Sequence, residues 1–182
     1  GQVVTSYMPP SERIWWKTPI GKEEILWIGI ALVWCLIMFF MMPYWHIYGK
    51  QNLSNEAYQT NAVKFQARVD EMVAAHQVRE ESGMPVVRPP AGSDVYMLGR
   101  LWQWYPILEL EKGQAYRLHL SSLDWQHGFS LQPVNINLQI LPGYEMVLTV
   151  EPDQSGEFTV VCNEYCGIGH HKMLGKIYVT EN

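Results

Sequence analysis

Hydrophobic and polar positions fall into three textures along the chain. Residues 25–48 are apolar almost throughout and carry no formal charge when His46 is neutral. Twenty-four residues at a rise of about 1.5 Å make roughly 36 Å of helix, enough for a hydrocarbon layer of roughly 30 Å. Trp27 near one end, with Tyr44, Trp45 and Tyr48 at the other, matches the aromatic belts of a membrane-spanning helix. A buried core helix would carry charges sooner, and a cleaved leader would be shorter, with small residues at its end. Pro43 is expected to kink or end this helix.

Residues 54–82 show a second texture. Tyr58, Ala62, Phe65, Val69, Met72 and His76 recur at steps of four and three, while Lys64, Arg68, Asp70, Glu71, Arg79, Glu80 and Glu81 face the other way. This predicts an amphipathic helix capped by Ser54. It would pack on a partner or on its own domain, or lie on the membrane surface. Gly83, Pro85, Pro89, Pro90 and Gly92 then predict a linker and a domain boundary.

From residue 93 the pattern shortens. The runs 95–104, 116–122, 136–141, 145–151, 157–162 and 175–181 read as strands, with clear alternation in Met146, Leu148 and Val150. Turn residues such as Leu141-Pro142-Gly143-Tyr144 and Asp153-Gln154-Ser155-Gly156 separate them. The expected fold is mainly β, an antiparallel sandwich or barrel with one N-terminal transmembrane helix. The expected organisation is a tail over 1–24, the span over 25–48, the amphipathic helix and linker over 49–92, and the β-domain over 93–182. Within the tail, Ile14, Trp15 and Trp16 are candidates for the membrane surface.

Charge adds orientation. Arg13, Lys17 and Lys22 precede the span, whereas Lys50 is the one basic residue close behind it. The positive-inside rule therefore puts the N-terminus in the cytoplasm and the later residues outside. The net charge of −5 has the wrong sign for a nucleic-acid partner. The residues from 89 onward carry the whole of it, so a cationic partner would be steered toward the β-domain.

Candidate chemistry lies between the last two expected strands, in Cys162-Asn163-Glu164-Tyr165-Cys166-Gly167-Ile168-Gly169-His170-His171-Lys172-Met173. Two thiolates, an imidazole and a thioether are soft donors suited to copper. One copper would need a single Cys with two His and a Met, so the second Cys suits two metals sharing two sulfurs. A Cys162–Cys166 disulfide and a structural zinc site also fit this loop by itself. No Ser-His-Asp order or glycine-rich phosphate loop appears.

The spacing C-x-E-x-C-x-x-x-H-x-x-M resembles the binuclear CuA loop of cytochrome c oxidase subunit II. The family's upstream D-x-x-H is matched by Asp124-Trp125-Gln126-His127, followed by Asn135-Ile136-Asn137 and Leu141-Pro142-Gly143. The resemblance covers about residues 93–180 and implies a cupredoxin-like domain. It implies that Cys162 and Cys166 bridge two coppers, completed by His127, His170, Met173 and the main-chain carbonyl of Glu164. His171 should point away, and His119 should be structural. The Glu164 carboxylate matches a magnesium ligand of the family. Trp102, within Gly99-Arg100-Leu101-Trp102-Gln103-Trp104, matches the aromatic patch that receives electrons.

The single span, with His127-Gly128-Phe129 and the Asn-Ile-Asn stretch, is closer to the B-type oxidases than to the two-span mitochondrial type. The implied role is electron input to a heme-containing multi-span catalytic subunit in a prokaryotic plasma membrane. Cytochrome c or a similar donor would supply the electrons. The copper subunit of a nitric oxide reductase and a membrane-tethered copper carrier working alone would share these motifs.

Overall fold

The computed structural model describes residues 19–49 and 56–181. Ser54, the tail aromatics, and Arg13 and Lys17 lie outside them. The chain divides between residues 50 and 51 into two units, each described separately below.

The first unit contributes α1, Lys22–Tyr48, long and apolar enough to cross a membrane. It begins three residues before the apolar run, with Glu23 and Glu24 in its first turn, where carboxylates complement the positive end of the helix dipole. It continues through Pro43 rather than ending there. None of its side chains is buried.

In the second unit the amphipathic segment is shorter than its periodicity predicts. Strand β1, Glu56–Gln59, comes first, and helix α2 spans Ala62–His76. Asn61 is the cap, its Oδ1 accepting from the Val63 N–H at 2.8 Å. The residues after His76 do not stay helical. Ser82 and Gly83 both adopt positive φ, the conformation of a tight two-residue hairpin turn. That turn folds β2, Gln77–Glu81, against β3, Met84–Val87. Residues 84–87, expected in a linker, are therefore a strand, which also pairs in parallel with β6, Ile107–Glu111.

The remaining strands are β4 (Asp94–Arg100), β5 (Gln103–Tyr105), β7 (Tyr116–Ser122), β8 (His127–Leu131), β9 (Ile136–Ile140), β10 (Tyr144–Val150), β11 (Gly156–Cys162) and β12 (Leu174–Thr180). They form one sheet in the order β1-β10-β7-β4-β5 and a second in the order β2-β3-β6-β12-β11-β8-β9. Most pairings are antiparallel; β4 with β7 and β6 with β12 are parallel. The run over 95–104 is a hairpin rather than one strand, broken at Leu101 and Trp102. β6 and β8 escape a reading by alternation because nearly every residue in them is buried.

Alternation on the first sheet sends Val95, Leu118 and Leu148 into the core between the sheets. Tyr96 and His119 take the opposite face, which α2 covers. Phe65 of α2 meets Tyr96 edge-on at 5.9 Å, and Arg68 lies over both rings. Burial of Phe65, Val69 and Met72 gives α2 its place on this sheet, at roughly 1.5–3 kcal/mol for each large side chain.

Candidate metal centre

At one end of the sandwich, two stretches of chain converge, the start of β8 and the continuous segment 162–173. β8 supplies His127 at its first residue, β11 supplies Cys162 at its last, and a loop carries Glu164 and Cys166. A 3-10 turn, His170–Lys172, leads to Met173 just before β12. The loop is closed at its base by the Cys162 N–H, which donates to the Met173 carbonyl at 3.1 Å. It is tied to β8 by the Asn163 N–H, donating to the Gly128 carbonyl at 3.2 Å. In a 3-10 turn positions three apart share a side, and the Met173 N–H closes onto the His170 carbonyl.

The result is a compact donor group. One ring nitrogen of His127 and the sulfurs of Cys162 and Cys166 all lie within 4.8 Å of one another. The two sulfurs are 3.7 Å apart and unbonded, well beyond the roughly 2.05 Å of a disulfide. Cys166 Sγ lies 3.6 Å from His170 Nδ1 and 3.7 Å from Met173 Sδ. Cys162 Sγ lies 3.3 Å from the Glu164 carbonyl. All six positions expected from the sequence are thus in one place.

The surroundings are dry. His127, Cys162, Cys166 and Met173 are all buried. Burial first, then the adjacent Cys162 thiol, pushes the Cys166 thiol up to about 12. Such a thiol keeps its proton at neutral pH unless a cation takes the proton's place. His127 Nε2 sits 2.8 Å from Asp124 Oδ1, and the Leu101 and Trp125 N–H groups also donate to that carboxylate. Burial pulls the Asp124 carboxyl up, but these three bonds outweigh it and hold it below its ordinary value. The other ring nitrogen, Nδ1, is buried and has no hydrogen-bond partner. His127 thus has one nitrogen held by a carboxylate and one buried nitrogen without a hydrogen bond, in a ring grouped with two thiols, an arrangement that fits a metal ligand.

The other expected positions divide. Trp102 is part-exposed at the tip of the β4–β5 hairpin, and its Nε1–H donates to the Cys166 carbonyl at 3.0 Å. His171 is exposed. His119 is buried away from the sulfurs, between Glu145 at 2.6 Å and Asp94 at 3.1 Å. The Glu164 carboxylate meets Gln139 Nε2 at 3.4 Å. Sequence reasoning missed Gly128, Gly169 and Trp104. A Cβ on Gly128 would run into Asn163 and Glu164, and one on Gly169 into the Trp102 indole. Only contacts made by folding reveal that need.

No protein-family model matches the chain. Among characterised proteins, a cytochrome c oxidase subunit 2 of Thermus thermophilus is 35% identical over 88 residues, covering 48% of this chain and 65% of the relative. A second, from another source of the same species, has the same identity over the same length, 52% of that relative. Over that stretch the chain is similar to cytochrome c oxidase subunit 2. It spans under two thirds of the length of these two relatives.

Among solved structures, a chain of a heme-copper terminal oxidase dimer superimposes with a TM-score of 0.54 at 22% identity, over 87% of this chain and 100% of the other. Rusticyanin from Thiobacillus ferrooxidans gives 0.50 at 14% identity, over 70% and 99%. The fold is cupredoxin-like. The donors at its end are those that suit copper.

Proposed function

We propose that this chain is the electron-input subunit of a respiratory heme-copper terminal oxidase. It would take electrons from cytochrome c or a similar donor and pass them to heme in a multi-span catalytic subunit. Cys162, Cys166, His127, His170, Met173 and the Glu164 carbonyl would together hold two coppers. The carrying observation is the pair of unbonded, buried sulfurs 3.7 Å apart beside an imidazole with an unpartnered nitrogen. A lone copper would leave the second thiol without a role, and a disulfide would leave His127 Nδ1 orphaned in the core.

Bound copper would supply a store for one electron at a time. The chain's own residues would hold that store still and dry. Asp124 fixes the His127 ring, the Cys162–Met173 backbone bond closes the loop, and burial excludes water. Trp102 reaches the surface and hydrogen-bonds directly to the main chain of Cys166, so it is the proposed point at which electrons arrive. Trp125, Tyr165 and Ile168, on the segments that carry the donors, are also exposed, an apolar rim over which a donor could settle. The acidic domain would draw a cationic donor from a distance, an effect weakened by salt. α1 would anchor the chain, with its basic N-terminal flank in the cytoplasm.

The test is to purify the full chain from copper-supplemented cells, count metal per polypeptide, and record optical and spin-resonance spectra. Two coppers per chain sharing one unpaired electron are expected. Zinc, a single copper, or a Cys162–Cys166 disulfide would overturn the reading. Copurification with a large heme protein that reduces oxygen is expected; one that reduces only nitric oxide, or a chain that works alone, would replace the oxidase assignment.

A further inference from the structure

Trp104 stands just below the donor group and has no part in the role proposed above. Its side chain is 1% exposed, and its Nε1 is the second buried side-chain nitrogen without a partner among the described residues. The indole is therefore not held by a hydrogen bond. It is held by shape: Phe129 meets it edge-on at 5.4 Å and 86°. On another side lies the bare backbone of Gly175, where a Cβ would come within 2.6 Å of the Trp104 Cβ.

The indole in turn meets the His127 ring at 6.2 Å and 63°. Close to both rings, Gly99 leaves a space that a side chain would fill. A Cβ there would fall 3.1 Å from His127 Cδ2, 3.4 Å from Trp104 Cζ3 and 2.9 Å from Ile140 Cδ1. Asp124 fixes one nitrogen of His127, but a single hydrogen bond leaves the ring free to pivot about that contact. The Trp104 indole and the narrow space at Gly99 flank that ring. Of the imidazole's two nitrogens, Nδ1 alone is left to find a partner.

We infer that Trp104 is a positioning residue for the metal centre: its indole and the side-chain-free Gly99 form a slot that sets the His127 ring plane, and hence the direction of Nδ1. The inference rests on the copper reading above. The slot works through shape, and its loss should cost metal retention about as much as loss of a hydrogen-bonded support of a ligating histidine, roughly 10- to 100-fold.

The test uses the full chain carrying Trp104→Leu, loaded with copper and compared with the unsubstituted chain. Expected are a roughly 10- to 100-fold faster loss of copper to a chelator and altered nitrogen coupling of one imidazole in pulsed spin resonance. The second imidazole, from His170, should be unchanged. Trp104→Phe keeps a ring in the slot and should restore the coupling. A merely structural Trp104 would lower the melting temperature yet leave the couplings and retention as they were, which would overturn the inference. If Trp104→Leu fails to fold, Gly99→Ala presses on the same ring with a new Cβ, and an unchanged coupling there would equally overturn it. An unsubstituted chain without paired copper would overturn the copper reading itself, a result distinct from a paired site indifferent to Trp104.

Discussion

At the scale of single residues, the donors announce themselves and their supports do not. Cys162, Cys166, His170 and Met173 carry their chemistry in the side chain, so spacing alone assembles them, and Asp124 with His127 repeats the same logic on another strand. Gly128 carries nothing in itself. Its importance comes from Asn163 and Glu164, far along the chain, which the β8–β11 pairing lays against it. A Cβ on Gly128 would sit 2.8 Å from the Glu164 N atom, too close for any real contact, so the loop must move. Gly128→Ala is therefore expected to cost about 1–3 kcal/mol by overpacking, read as a lower denaturation midpoint of the metal-free chain. It should also displace the Glu164 carbonyl and weaken copper retention in a chelator assay. Stability loss with normal retention would show that the loop can shift without moving the carbonyl.

At the scale of elements, legibility follows burial. Met146, Leu148 and Val150 alternate along β10 and can be read directly, although Glu145 and Val147 on its other face are buried as well. β6 does not alternate, because Glu109 in its middle is buried along with its neighbours. That carboxylate is reached by Arg79 of β2 and by Arg88, just beyond β3. The charges that made residues 77–88 look like a solvated helix face and a linker are in part a clamp fastening the β2–β3 hairpin to β6. A helix reading cannot foresee this, since it needs a partner on a distant strand. Replacing both arginines, Arg79→Ala with Arg88→Ala, would leave a buried carboxylate without a counter-charge, at a cost of about 3–5 kcal/mol. Urea denaturation of the full chain would measure it. A loss below about 1 kcal/mol would mean that the clamp is worth no more than an ordinary surface pair.

At the scale of the whole molecule, two carboxylates of the acidic domain, Glu109 and Glu145, are buried within the fold, while its other acids lie at least partly at the surface. Segments ahead of residue 89 supply Arg68 to Glu145 and Arg79 and Arg88 to Glu109, so the first, charge-balanced half of the chain partners the acidic half. The carboxylates respond. Glu109 is pulled up by burial but carried lower by its two arginines, and Glu81 is lowered first by Lys176 and then by Tyr178. Each group lowered on folding stabilises the native state fully above its unfolded value near 4.5, and that contribution disappears as pH falls through the folded value. Stability should thus be level from neutrality to about pH 5 and fall below it. Glu81 is only half-buried, and solvent screens its pair more, so the buried Glu109 should dominate the fall. Glu109→Gln removes the titrating proton while keeping the shape. It should be less stable than the unsubstituted chain at pH 7, and the two should converge as pH drops from about 5 toward about 3. Denaturation curves recorded across that range decide the matter: if the variant instead keeps a constant distance below the unsubstituted chain, the acid-labile contacts lie elsewhere and the Glu109 clamp holds by packing alone.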